Sequence, residues 1–229
     1  MLWLLPEEPR FPPAELGPAD GPLAVGGDLS VDRLLSAYSL GIFPWYNEPP
    51  ILWWSPDPRM ILQPNDLRIN RSLARALRTS TVSVSFDTAF AAVIRACQAP
   101  RKGEAGTWIT DDMVTAYEEL FRLGFAHSVE CWQEGRLVGG VYGVALGGAF
   151  FGESMFTIVN HASKIGFVRL VGHLRHLGFT LVDCQVPSPH MAAFGATLVS
   201  RSAFLAQLKH AVTQPLPPGH WQSTPRACS

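Results

Sequence analysis

The sequence lacks the short motifs that mark common nucleotide and metal sites. It contains neither a phosphate-binding P-loop nor a Gly-x-Gly-x-x-Gly fingerprint. Its four cysteines, Cys97, Cys131, Cys184 and Cys228, include no Cys-x-x-Cys pair. This spacing favours neither a zinc knuckle nor a disulfide framework. We therefore expect reduced thiols, as in a cytosolic protein.

The sequence also lacks an excess of charge of one sign and any long apolar segment. The formal net charge is -1, which argues against a general coat for nucleic acid but leaves room for a local basic patch. The uncharged run 137–152 is shorter than the roughly 20 residues of a membrane helix. The N-terminal segment has no basic region before an apolar one, as a signal peptide would. A cytoplasmic protein without a membrane partner is the expectation.

What the sequence does have is an aromatic, proline-rich segment at residues 41–59, here called the Trp/Pro segment. It holds three of the seven Trp and five of the nineteen Pro. Proline excludes a helix, and the aromatic content argues against disorder, so the composition predicts a stiff loop. Its rings could wedge two layers together or offer a flat platform to a ligand.

The order of the predicted elements indicates an α+β fold with two domains, 1–80 and 81–229. Ser30, Asn70 and Thr110 each have the position of a helix N-cap. The second domain reads as strand, hairpin, long helix, strand, with the hairpin turn at Gly147-Gly148. The tail from Gln214 is rich in proline and is predicted to be loosely held.

One predicted helix, residues 71–79, carries three arginines on a single face. Arg71, Arg75 and Arg78 recur at helical spacing, and no acidic residue lies between Leu67 and Phe86. Most basic helix faces are simply solvated, but those usually carry interspersed glutamates. A face of one sign in a slightly acidic protein favours contact with a phosphate backbone.

Two carboxylates, Glu153 and Asp183, lie inside predicted strands, where a charge is costly unless it is used. Either one alone is most simply paired with an arginine at a sheet end. Their occurrence near strand ends in the same half of the chain favours a shared site. Because side chains alternate along a strand, Asp183 and Gln185 are predicted to lie on one face.

The succession of hairpin, helix and strand suggests the acyltransferase fold that binds acetyl-coenzyme A. That fold cradles pyrophosphate on a Gly-rich loop before the long helix. The corresponding segment here, residues 157–162, contains no glycine. The fold is therefore expected without coenzyme A as the donor.

Seven motifs, in order along the chain, resemble the leucyl/phenylalanyl-tRNA–protein transferases, over a stretch from about Phe11 to about Trp221. They are Gly26-Gly27-Asp28-Leu29, Gly41-Ile42-Phe43-Pro44-Trp45, Trp53-Trp54-Ser55-Pro56-Asp57-Pro58-Arg59, Gly106-Thr107-Trp108-Ile109-Thr110, Gly139-Gly140-Val141-Tyr142-Gly143, Gly152-Glu153-Ser154-Met155-Phe156 and Asp183-Cys184-Gln185. The resemblance implies transfer of Leu or Phe, less often Met, from aminoacyl-tRNA to proteins with N-terminal Lys or Arg, marking them for N-end-rule degradation. It implies a small N-terminal α/β domain and a larger GNAT-type acyltransferase-like domain. It also implies a monomer without metal or organic cofactor.

The resemblance also implies roles for individual residues. Trp45 and Trp108 match the rings that hold the 3′-terminal adenosine, with Tyr38 and Tyr117 beside them. The arginine helix matches the proposed contact with the acceptor stem. The side chain of the donor amino acid would occupy a pocket of six residues, which could equally be plain core: Val141, Phe150, Met155, Phe167, Leu170 and Val182. The family carries Met at the first of these positions and Phe at the fifth, so the donor preference stays open.

For the chemistry, the resemblance implies that Asp183 orients Gln185 and that Gln185 contacts the attacking amine. An amide oxygen is a hydrogen-bond acceptor but a very poor base, so we expect Gln185 to align the amine while water or Asp183 takes the proton. Glu153 is expected to hold the α-ammonium group of the donor. Two rivals remain at this point, a coenzyme A-dependent acetyltransferase and a non-catalytic tRNA-binding module.

Overall fold

The computed structural model describes residues 2–99, 108–216, 219–221 and 223–227. Its strands are β1 Trp3–Leu4, β2 Pro22–Val25, β3 Phe43–Pro44, β4 Leu52–Trp54, β5 Arg59–Leu62, β6 Ser83–Phe86, β7 Ala126–Gln133, β8 Arg136–Leu146, β9 Ala149–Thr157, β10 Leu181–Gln185, β11 Thr197–Val199 and β12 Ser223–Ala227. Its α-helices are α1 Val31–Ser39, α2 Arg71–Thr79, α3 Phe90–Gln98, α4 Asp111–Arg122, α5 Ala162–Leu177, α6 Pro189–Ala192 and α7 Arg201–Val212. The predicted α+β class is confirmed.

The predicted helix starts are confirmed by the side chains that cap them. The Ser30 hydroxyl accepts a hydrogen bond from the third residue of its helix, as do the Asn70 carbonyl and the Thr110 hydroxyl. Each cap satisfies one backbone N–H that has no partner within the first turn. The three caps fix where α1, α2 and α4 begin.

A small four-stranded sheet, in the order β1-β2-β4-β3, contains much of the Trp/Pro segment. The segment was predicted as loop throughout, and that prediction is wrong for β3 and β4, which pair antiparallel. Trp53 is fully buried, and its indole N–H donates to the Gly26 carbonyl at 2.8 Å. The Phe11 ring packs edge-on against it with the centroids 4.8 Å apart. Trp53 therefore packs inside the protein and is not a platform for a ligand.

The larger sheet has eight strands in the order β11-β5-β10-β9-β8-β7-β6-β12. It is mixed, since β10 runs parallel to β9 and antiparallel to β5. Helix α5 connects the two parallel strands, as a parallel pair requires. Strand β5 comes from the range predicted as the first domain but belongs to this sheet. The domain boundary near residue 80 stays a prediction.

The C-terminal tail is attached to the large sheet. Strand β12 pairs antiparallel with β6 at the sheet edge. Before it, the Trp221 ring stacks on His127 with centroids 3.7 Å apart, and its backbone N–H donates to Asp87 at 2.7 Å. The prediction of a loosely held tail is therefore wrong for these residues, because its aromatic anchor outweighs its proline content.

Candidate active site

A cavity of about 930 Å³ opens where strands β9 and β10 part. The two strands pair only from Leu181 to Asp183 opposite Ala149 to Phe151. Beyond that point each strand has a bulge, and bulges commonly re-aim side chains near functional sites. The residues just past the pairing, Gly152, Glu153, Cys184 and Gln185, line the cavity. The site therefore lies where these two parallel strands diverge, partway along β9 and at the carboxyl end of β10.

Glu153 occupies the bulge of β9. Its partner strand passes close beside it at Gly143, where a Cβ atom would lie 2.2 Å from the Phe151 carbonyl oxygen. Only glycine permits this approach, because real Cβ contacts are never so short. The bulge turns the Glu153 carboxylate inward, and the side chain is only 8% exposed. It is the one carboxylate among the described residues that line the cavity.

Three neutral groups donate hydrogen bonds to the Glu153 carboxylate. The Tyr38 hydroxyl donates to Oε1 at 2.8 Å, the Tyr117 hydroxyl to Oε2 at 3.0 Å and the Gln185 amide to Oε1 at 3.0 Å. The two tyrosine hydroxyls also contact each other. Burial raises the pKa of Glu153 to about 7, with a further rise from the charge of Asp183, while the three donors oppose the shift. Glu153 can therefore exchange a proton near neutral pH.

Asp183 is fully buried and is held by an arginine. Arg59 donates from Nε to Oδ1 at 2.8 Å and from Nη2 to Oδ2 at 2.6 Å. The guanidinium lies 4.8 Å from the centroid of the Phe43 ring and 4.4 Å from that of Phe204, a geometry that favours a cation. Asp183 is not among the residues that line the cavity. Asp183 is therefore paired with an arginine, which is the simplest expectation for a carboxylate inside a strand. The pair lies beside the cavity and does not line it.

Gln185 joins the two carboxylates. Its backbone N–H donates to Asp183 Oδ1 at 2.9 Å, and its side-chain amide reaches Glu153. Its φ of 63° is left-handed, so the regular alternation assumed for Asp183 and Gln185 does not hold across this step. With the amide nitrogen turned to Glu153, Oε1 is the amide atom left to accept from a substrate.

The aromatic residues predicted to hold a nucleotide lie around the same cavity. Trp45 and Trp108 both line it. Trp45 is 38% exposed, and its ring packs against Trp54, whose indole N–H donates to the Trp45 carbonyl at 2.7 Å. Tyr38 and Tyr117 do not line the cavity and instead stand behind Glu153. One exposed ring with a fixed backbone has the form of a stacking platform.

The apolar part of the cavity contains five of the six residues predicted for the amino-acid pocket: Val141, Phe150, Met155, Phe167 and Val182. The sixth, Leu170, is buried in the core cluster behind them and is not among the lining residues. Val141 faces Met155 across the paired strands β8 and β9. These five residues form an apolar part of the lining, whereas Glu153 and Gln185 are among its polar side chains.

The arginine helix stands apart from the cavity. Arg71, Arg75 and Arg78 are all exposed on α2, and none of them lines the cavity. Leu73 on the same helix is buried and is 3% exposed, so one face packs while the other is free for solvent or a ligand.

Sequence reasoning missed Arg59 as a member of the site. It lies within a quoted motif, yet nothing in the sequence links it to Asp183, 124 positions away. The feature that could have indicated its role is its position at the start of an otherwise apolar strand, Arg59–Leu62, where an unpaired charge would be costly. Cys184 also lines the cavity, and burial raises the pKa of its thiol well above the ordinary value.

The described part of the chain has no group of three or more His, Cys, Asp or Glu side chains that could hold a metal ion. Among its helices, none combines the length and the apolar character needed to span a bilayer.

Two family models cover most of the chain. Residues 61–209 match the model described as leucyl/phenylalanyl-tRNA protein transferase, and residues 27–57 match that of its N-terminal domain. The chain belongs to the leucyl/phenylalanyl-tRNA protein transferase family. The predictions of the family and of a transferase are confirmed.

Relatives in this transferase family match along nearly the whole chain. A leucyl/phenylalanyl-tRNA–protein transferase of Anaeromyxobacter dehalogenans strain 2CP-C is 56% identical over 223 residues, 96% of each chain. One of Pseudomonas putida strain W619 is 55% identical over 218 residues, 94% of this chain and 96% of its own. A solved structure of L-PGS from Bacillus licheniformis overlaps 83% of this chain and 72% of its own, with 9% identity and a TM-score of 0.47. That likeness is too low to support a conclusion about this chain.

Proposed function

We propose that this chain transfers Leu or Phe, and less often Met, from aminoacyl-tRNA to the N-terminal α-amino group of proteins that begin with Lys or Arg. The product would be marked for N-end-rule degradation. The observation that carries the proposal is a single cavity that joins an apolar pocket, two tryptophans and the Glu153–Gln185 pair. Membership of the transferase family supports it. Charged tRNA and protein N-termini meet in the cytoplasm, so we place the reaction there, with the chain acting as a monomer.

The proposed reaction is aminolysis of an ester. The nitrogen of the acceptor amine attacks the ester carbonyl carbon, an amide bond forms, and the bond to the ribose oxygen breaks. The amine loses a proton and the ribose oxygen gains one. Since the ester is already activated, holding the two substrates together supplies much of the rate, with roughly 7–11 kcal/mol available from proximity.

In this proposal Gln185 aligns the amine through its Oε1 atom and Glu153 receives the proton. Asp183 was expected as a possible proton acceptor, but both its oxygens are bound by Arg59 and it does not line the cavity. Glu153 lines the cavity and has a pKa of about 7, which suits proton transfer near neutral pH. A role for Glu153 in holding the donor α-ammonium group predicts a loss of donor binding instead, so the two roles are separable by experiment.

The nucleotide end of the donor is proposed to stack on Trp45 and Trp108, and the acceptor stem to contact α2. Replacing Arg71 and Arg75 together with Ala should weaken binding of aminoacyl-tRNA and flatten its salt dependence, because each lost phosphate contact removes about 0.9 from the logarithmic slope on duplex nucleic acid. Titrations at several salt concentrations measure this slope. An unchanged slope would place the stem elsewhere.

Transfer of labelled Leu from tRNA to a peptide with N-terminal Arg tests the proposed function directly. The matched control is the same peptide with its α-amino group acetylated, which should accept nothing. Binding of aminoacyl-tRNA without transfer would favour the non-catalytic module. Labelling of the peptide from acetyl-coenzyme A would favour the acetyltransferase, although the loop before α5 contains no glycine between residues 157 and 162.

A further inference from the structure

We propose that Arg59 is a positioning residue: its ion pair with Asp183 fixes the backbone of Gln185. Through that backbone, the pair holds the Gln185 amide inside the cavity, where it meets Glu153. This inference rests on the proposed function and deepens it, because it assigns a positioning role to Arg59, a residue that does not contact the reacting atoms. Two residues on separate strands, β5 and β10, then control one side chain of the site.

The ion pair is closed to substrate. Both Asp183 oxygens are engaged by Arg59, and the two side chains are 0% and 1% exposed. The Phe43 and Phe204 rings lie against the guanidinium. Neither charge can reach the reacting atoms without breaking this packing, so any effect of the pair on the chemistry passes through a neighbour.

That neighbour is Gln185. Its φ of 63° belongs to a region that residues other than glycine occupy only when the surroundings hold them there. Asp183 Oδ1 accepts the Gln185 backbone N–H at 2.9 Å, and a charged acceptor makes this bond strong. The same oxygen accepts from Arg59 Nε, so the position of the guanidinium sets the position of the carboxylate.

The consequence is visible at Glu153. The left-handed step turns the Gln185 side chain toward Glu153 Oε1, 3.0 Å from the amide nitrogen. If the ion pair loosens, Gln185 can relax toward the extended backbone of an ordinary strand, and the amide leaves the carboxylate. Glu153 then loses one of its three donors, which lowers the stability of its ionised form.

The competing role for the pair is stability alone. Arg33 offers a matched control, because it is also fully buried, forms an ion pair with Asp28 at 3.3 Å and donates to main-chain carbonyls. It is not among the residues that line the cavity. Arg33→Lys should destabilise the fold and leave the rate per folded molecule unchanged.

The test is a kinetic double-mutant cycle. Single-turnover transfer of labelled Leu to a peptide with N-terminal Arg is measured for the wild-type chain, Arg59→Lys, Gln185→Ala and the double variant. Lysine keeps the charge but cannot form the bidentate pair. Misplacement of a reacting group by about 1 Å can cost about a hundredfold in rate, so Arg59→Lys should slow transfer by about tenfold to a hundredfold. In the Gln185→Ala background it should have almost no further effect.

The pH dependence of transfer supplies a second readout. The groups that face Glu153 are Tyr38 on α1, Tyr117 on α4, Tyr142 on β8 and, on β10, Gln185 with Asp183 behind it. Of these contacts only the Gln185 one is expected to change in Arg59→Lys. The acid limb of the rate profile should therefore move to higher pH, while in Arg33→Lys it should stay in place.

Asp183→Asn is a second way to loosen the pair, with nearly unchanged shape, and should slow transfer as Arg59→Lys does. The acid limb is read only in Arg59→Lys, because Asp183→Asn also removes a charge that raises the pKa of Glu153. Thermal unfolding confirms that each variant is folded. Additive effects of Arg59→Lys and Gln185→Ala, or an unmoved acid limb, would overturn the inference. So would failure of both Arg59→Lys and Asp183→Asn to fold, which would make the pair a folding element. If the wild-type chain itself transfers nothing, it is the proposed function that fails.

Discussion

Two buried glutamates of the eight-stranded sheet, Glu130 on β7 and Glu153 on β9, meet the same electrostatic problem in different surroundings. Among the described residues neither has a cationic partner. Glu130 is 0% exposed and accepts hydrogen bonds from three hydroxyls, those of Ser85, Thr88 and Ser128. We call these four residues the closed centre. The open centre consists of Glu153 with Tyr38, Tyr117 and Gln185.

The difference is one of access. In the closed centre the carboxylate is enclosed by its hydroxyl donors, and the Trp132 indole N–H donates to one of them, Ser85, at 2.8 Å. In the open centre the carboxylate lines a cavity of about 930 Å³. A carboxylate without a cation is therefore a structural element where its donors enclose it, and a chemical group where a substrate can reach it.

The largest expected effect is on stability at the closed centre. Glu130→Ala should lower the free energy of unfolding by about 3–4 kcal/mol, because it strands several buried hydroxyl donors at once. Denaturant unfolding measures the loss. Glu130→Gln keeps the shape and should cost less. If Glu130→Ala slowed transfer per folded molecule as strongly as a change at Glu153, the contrast between the two centres would be broken.

At the open centre the large effect is on rate. Glu153→Gln should slow single-turnover transfer by about a hundredfold, the usual scale for removing a general acid or base, while the fold is retained. Rates at saturating donor separate the two possible roles of Glu153. A normal rate at saturation with weaker donor binding would mean that Glu153 holds the donor ammonium instead.

A smaller effect concerns stability against pH. The pKa of Glu153 rises from 4.5 to about 7 on folding, so between these values the folded chain keeps a proton that the unfolded chain has lost. The contribution of Glu153 to the free energy of unfolding is therefore fully present below pH 4.5 and is lost as pH rises through 7, by on the order of 3 kcal/mol. Unfolding of wild-type and Glu153→Gln chains at pH 5 and pH 8 measures it. Equal pH dependence in both chains would contradict the shift.

The smallest expected effect compares two tryptophans, Trp45, which lines the cavity of the open centre, and Trp132, which donates to Ser85 of the closed centre. Trp45→Ala should weaken binding of aminoacyl-tRNA by about tenfold, in keeping with about 1–3 kcal/mol per stacked base, and should change stability little because the ring is exposed. Trp132→Ala removes the indole donor of the closed centre and should do the reverse. Binding titrations and thermal unfolding of the same two variants provide both readouts.

The sequence carried the elements and the family but could not separate the two centres. Glu130 and Glu153 both lie in strands with apolar neighbours, and only Glu153 was singled out, on its motif and its place near a strand end. The bulge at Glu153 and the left-handed backbone at Gln185 depend on how neighbouring strands pair. The alternation of side chains along a single strand carries no information about that pairing. The partnership of Arg59 with Asp183 is likewise a product of sheet order and not of local pattern.

The place of β5 between β10 and β11 bears on how the chain is synthesised. The ribosome makes β5 early, yet Arg59 and its partner are 124 positions apart. At about 5–20 residues per second the strand waits roughly ten seconds for its neighbours. During that time both edges of the buried strand Arg59–Leu62 are unpaired, and unpaired edges invite association with other chains. A chain terminated before β10 would keep these edges open and hold no complete site, so premature termination yields an aggregation hazard and no partial enzyme.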